Sequence, residues 1–166
     1  MKSSIYALLI AGLCGLMNSA TAAPLIERIG APLAHPWGMD FLDDSTVLVT
    51  ERSGKLYKIN LADGTRQLIT GLPDIKARRQ GGLLDIAIAK LDNGPTTVFF
   101  CYSKPVTGGS VTAIDRAQLA GTSLTDRRTI FMANNESEIA IHYGCRLALN
   151  NDYIFCLLYT SPSPRD

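Results

Sequence analysis

Two side chains in this sequence have the chemistry to take a direct part in a reaction: His142, one of two histidines, and Gln80. Histidine exchanges a proton near neutral pH, which suits it to act as a general base under physiological conditions. His142 opens the phrase HYGCRL, which ends at Leu147. Glutamine carries a neutral amide that donates and accepts hydrogen bonds at once. Gln80 opens the phrase QGGLLD, which ends at Asp85. Each residue also admits a plain structural role. His142 would then be a hydrogen-bonded group at a strand end, and Gln80 a loop residue before two turn glycines.

The other polar candidates carry less. Trp37, in the phrase HPWGMDF from His35 to Phe41, could stack on a sugar or a planar ligand, but packing at the inner end of a strand is the simpler expectation. Glu51 and Arg52, within TERSGKLYKI from Thr50 to Ile59, read as a pair at a hairpin end. An exposed pair of that kind contributes about 0–1 kcal/mol. Lys76, Arg78 and Arg79 read as a solvated loop. Cys101 and Cys145 lie in apolar, strand-like stretches. Sequence does not show their approach, and two separately buried thiols are the expectation over a disulfide. With no CxxC pair and no histidine cluster, nothing supports a zinc site, and no metal ligand is assigned.

The elements that must position these groups are short strands. Trp37 to Leu42 is a first strand, followed by the turn residues Asp43, Asp44 and Ser45. Thr46 to Glu51 alternates apolar and polar residues, and Arg52-Ser53-Gly54 turns the chain into Lys55 to Asn60. Asp63-Gly64 signals a hairpin into Arg66 to Thr70. The pattern then repeats with Leu83 to Ala89, Thr96 to Ser103, Val111 to Leu119 and Arg128 to Met132. A third unit begins near Tyr143 and includes Tyr153 to Phe155. Four-stranded units repeated at this spacing predict an all-β fold of the β-propeller kind. A β-sandwich is the competing all-β architecture. The propeller is favoured because unit boundaries coincide with repeated apolar first strands.

The four phrases, in this order, resemble the pyrroloquinoline quinone (PQQ) dependent soluble aldose sugar dehydrogenases, the glucose/sorbosone dehydrogenase family. The resemblance covers Leu33 to Phe155. It implies a six-bladed β-propeller, of which this chain would hold an N-terminal part of about two blades and the start of a third. It implies a quinoprotein that oxidises an aldose at the anomeric carbon to a lactone, with PQQ as hydride acceptor. Gln80 would then contribute to the quinone pocket. His142 would be the catalytic base and a cofactor contact. Two positions depart from the family pattern: Ile141 stands where relatives place Asn or Asp, and Cys145 where they place a small residue. Arg146 keeps the family spacing and reads as a structural group. The family's cations for the PQQ carboxylates and its calcium ligands come from later blades, outside this chain. The fragment itself is therefore expected to be inactive. A non-catalytic propeller binding carbohydrate or protein is the alternative.

The two ends are set apart from the fold. Lys2, the apolar run Ile5 to Met17 and the small-residue site Ala20-Thr21-Ala22 predict a signal peptide over residues 1–22. The run is shorter than the roughly 20 residues of a spanning helix, so a periplasmic or secreted protein without a membrane anchor is expected. Residues 156–166, CLLYTSPSPRD, match the translation of a transposase adapter used in sequencing libraries, so they are expected to be non-native. Residues 23–155 remain as the partial propeller, with 14 basic and 14 acidic residues. That balance argues against nucleic acid as a partner. An aldose is the expected substrate, and the electron acceptor is not specified by the sequence.

Overall fold

The computed structural model describes residues 26–89, 94–134, 136–150 and 152–158. The expected signal peptide and residues 159–166 of the tail lie outside the described residues, as does most of the turn before Pro95. Among the described residues there are ten strands: β1 (Pro36–Asp43), β2 (Thr46–Glu51), β3 (Lys55–Asn60), β4 (Arg66–Ile69), β5 (Leu83–Ala89), β6 (Thr97–Val106), β7 (Gly109–Ala120), β8 (Ser123–Met132), β9 (Arg146–Asn150) and β10 (Tyr153–Leu157). They form two four-stranded antiparallel meanders, β1–β4 and β5–β8, and the hairpin β9–β10.

Local chemistry explains the turns. The Asp43 carboxylate accepts the Ser45 N–H at 2.8 Å and its hydroxyl at 2.7 Å, closing the β1–β2 turn. Asp63 accepts the Thr65 N–H at 2.8 Å, and Gly64 takes φ +70° beside it. The hairpins of the second sheet run further than their apolar residues suggest. β6 and β7 stay paired out to Val106 and Gly109, and β7 and β8 out to Ala120 and Ser123, where Gly121 turns at φ +62°. Backbone groups seek partners whatever side chain they carry, so β8 starts at Ser123 rather than Arg128.

The innermost strands β1, β5 and β9 lie side by side, the relation of successive propeller blades. The first core lies between the two large sheets and contains Leu48, Leu56, Leu83, Ile86, Val98 and Phe100. The second lies between the β5–β8 sheet and the β9 hairpin, with Leu84, Ala87, Cys101, Ile114, Tyr143 and Leu147. β5 therefore serves both cores. A register shift between Leu83 and Ile86 in its pairing with β6 lets Leu83 and Ile86 face one core while Leu84 and Ala87 face the other.

The contact expected for Trp37 is corrected. Trp37, Met39 and Phe41, alternating along β1, are 50%, 53% and 51% exposed, because no sheet among the described residues covers that face.

Candidate functional site

The four phrases singled out in the sequence meet along the seams between sheets. The Thr50 hydroxyl accepts the Gly38 N–H at 2.8 Å and donates to the Leu84 carbonyl at 2.6 Å, joining β1, β2 and β5. Gly38 is needed there, since a Cβ would lie 2.6 Å from the Asp85 carboxylate and 2.8 Å from its Cα. The Arg52 backbone accepts the Leu83 N–H and donates to His35, and a Cβ on Gly82 would collide with the Arg52 carbonyl. Asp85, fully buried, accepts the Leu147 N–H at 2.7 Å and lies 3.5 Å from the largely exposed Arg146 guanidinium.

His142 sits in the connection between β8 and β9. Ala140, His142 and Cys145 all take positive φ there, at 59°, 65° and 82°. Each such non-glycine residue costs about 1–3 kcal/mol and persists only where the surroundings hold it. Those surroundings are specific. Ser110 and Ser137 exchange backbone hydrogen bonds at 3.3 and 2.9 Å. The Ser137 hydroxyl binds both the N–H and the carbonyl of Ile141, each at 3.1 Å. The Tyr143 hydroxyl lies 2.6 Å from that of Ser110, and the Tyr143 carbonyl accepts the Thr112 hydroxyl at 3.1 Å.

Gln80 and His142 are brought together across 62 positions of sequence. The His142 N–H donates to Gln80 Oε1 at 2.9 Å, and the Gln80 N–H donates to the Ala140 carbonyl at 3.1 Å. Because the His142 amide is a donor, the orientation of the Gln80 side chain is fixed by its partner. Its oxygen faces the loop, and its NH2 is a donor outside that bond.

His142 lines a groove of about 950 Å³ with Thr112, Met132, Ile141 and Tyr143. The groove also holds Glu136 and Glu138, and among the described residues no lysine or arginine lines it. A tricarboxylate needs fixed cations. The described lining, which includes His142 but not Gln80, therefore does not fit the PQQ carboxylates. No group of three or more potential metal ligands occurs among the described residues.

Three expectations are corrected here. Cys101 and Cys145 form a disulfide, with Cα atoms 5.7 Å apart. The β8–β9 connection folds back over β6 and brings them within the range a bridge requires. Glu51 is buried rather than a surface partner of Arg52, and its carboxylate accepts the Ala34 N–H at 2.8 Å. Lys76 is half-buried, and its ammonium donates to the Gly109 carbonyl at 3.1 Å, whereas Arg78 and Arg79 are exposed. Sequence reasoning gave no role to Tyr143 or Ser110. Tyr143 stands in the HYGCRL phrase and Ser110 at the start of β7, but no pattern in the sequence announces their pairing.

Comparison with known proteins points one way. The family model described as Glucose / Sorbosone dehydrogenase matches residues 33–162. Aldose sugar dehydrogenase YliI of Escherichia coli (strain K12) is 29% identical over 162 residues, 95% of this chain and 44% of that protein. The crystal structure of the soluble aldose sugar dehydrogenase from Escherichia coli in its apo-form superposes with a TM-score of 0.73 at 31% identity, over 80% of this chain and 40% of that one. The PQQ-bound form of an aldose sugar dehydrogenase from Streptomyces coelicolor superposes with a TM-score of 0.63 at 21% identity, over 75% of this chain and 37% of that one, a likeness of fold. The chain spans under half the length of each.

Proposed function

Because the chain belongs to the glucose/sorbosone dehydrogenase family, we propose that it supplies the histidine-bearing part of a quinoprotein that oxidises an aldose at its anomeric carbon to a lactone. Its fold is that of a β-propeller, with two whole blades and a hairpin of the third among the described residues. When bound, PQQ supplies a hydride acceptor for the anomeric C–H. The PQQ-bound relative supports this choice of cofactor. The observation that supports the reading is the hydrogen bond from the His142 N–H to Gln80 Oε1, which brings the two residues together across 62 positions of sequence.

In this reading the His142 imidazole takes the proton of the anomeric hydroxyl as the C–H hydride departs, leaving the carbonyl of the lactone. Gln80 fixes the histidine backbone through Oε1 and offers its NH2 to an acceptor on the quinone edge. In this reading the cations for the PQQ carboxylates, and any calcium, come from blades beyond the described residues, since no lysine or arginine among the described residues lines the groove. Export to the periplasm or beyond is part of the proposal. The Cys101–Cys145 disulfide supports it, because such bonds persist in oxidising compartments. No helix among the described residues is long and apolar enough to cross a membrane.

The test is to purify the full-length protein as apoprotein and follow lactone formation from an aldose with an artificial electron acceptor. Lactone is expected only after PQQ is added. Turnover at the same rate without PQQ, or none with it, would overturn the reading.

A further inference from the structure

We propose that the Cys101–Cys145 disulfide is a positioning element for His142, fixing the histidine loop to the rigid second sheet. The proposal rests on the reading of His142 as the base. The connection between Met132 and Arg146 is irregular, and three of its non-glycine residues hold positive φ. Such a segment does not hold its own shape. On the N-terminal side of His142 it is held by hydrogen bonds from Ser110, Ser137 and Gln80. On the C-terminal side the hold comes from Tyr143 and, three residues beyond His142, from the disulfide.

The choice of residue at Cys145 is informative. At φ 82° the backbone favours glycine, and a side chain there is costly unless it is used. Cys145 uses its side chain on Cys101, in the middle of β6, where β6 pairs with β5 on one side and β7 on the other. Both cysteines are fully buried in the cluster that also holds Ala140 and Tyr143, the residues near His142 in the chain. The bond therefore joins the loop to a strand that is paired on both sides. A bridge serving stability alone has no need to end three residues from the imidazole.

The test uses the full-length protein with the double substitution Cys101→Ala/Cys145→Gly. Glycine suits the left-handed backbone, so the tether is removed without adding strain. Two readouts are taken below the melting range of both proteins. In the apoprotein, exchange of the His142 amide hydrogen, which is bonded to Gln80, is expected to quicken at least tenfold, with the Phe100 and Ala113 amides unchanged. In the PQQ-loaded protein, kcat is expected to fall at least tenfold, with KM for the aldose within threefold.

Unchanged His142 exchange overturns the proposal whatever turnover does, and quicker exchange with unchanged kcat reduces the bond to a stability device. If the wild type has no PQQ-dependent turnover, the base reading fails separately, and the exchange data alone judge the tether. Should the double variant not fold, an added dithiol gives the same readouts on the wild type. It opens the bond by two thiol–disulfide exchanges, leaving two protein thiols and the oxidised cyclic reagent.

Discussion

Gln80 has one observed contact and one proposed one, and substitution can separate them. Its oxygen holds the His142 backbone, and its NH2 faces away from that bond. Gln80→Glu keeps an acceptor for the His142 N–H but replaces the outward donor with a negative charge. It is expected to weaken PQQ binding at least tenfold while leaving the His142 amide protected from exchange. Gln80→Ala is expected to lose both. Equal PQQ affinity in wild type and Gln80→Glu would remove the amide from the cofactor contact and leave it a clamp on the loop. Both residues were legible in the sequence because each opens a distinctive phrase. Their contact was not, since it joins residues 62 apart and depends on positive φ at Ala140 and His142, which no residue type there announces.

Among the strands, legibility followed side-chain pattern. β2, β3 and β5 alternate or run apolar, and their limits were readable to the residue. β7 and β8 continue as a hairpin through polar residues, where backbone pairing rather than burial sets the length. The Cys101–Cys145 bond depends on how the β8–β9 connection folds over β6, which strand patterns do not encode. The second sheet also carries a buried polar cluster: the Tyr102 hydroxyl donates to Asp115 at 3.1 Å, and Arg127 pairs with the same carboxylate at 2.6 Å. Burial, and next the Asp115 charge, push the Tyr102 phenol above its usual range. The folded state thus holds the phenol proton more tightly than the unfolded chain does. Its contribution is complete below the unfolded phenol pKa of about 10 and is lost as pH rises through the higher folded value. Melting temperature in the full-length protein is expected to drop above about pH 10, and Tyr102→Phe to flatten that drop. Identical alkaline slopes in the two proteins would contradict this account of the cluster.

At the scale of the molecule, two apolar faces stand open on opposite flanks of the three packed units. One carries Trp37, Met39 and Phe41 on β1, and the other Tyr153, Phe155 and Leu157 on β10, the latter 69%, 57% and 68% exposed. Propeller blades bury such faces against their neighbours, and the relatives are more than twice as long as the part this chain matches. β10 continues through Phe155 to Leu157, and the family match extends to residue 162. The β-propeller architecture was legible because the strand pattern repeats. For the proposed chemistry the sequence offers the phrases that open at Gln80 and His142, and the rest of the proposed site lies outside this chain. The most direct test of the whole account is His142→Ala in the full-length protein, with PQQ binding and aldose oxidation measured on the same sample. General-base catalysis contributes roughly 10²–10⁴-fold, so kcat should fall by about that factor in a variant that still binds PQQ. A variant that binds PQQ and turns over within threefold of the wild type would show that His142 is not the base.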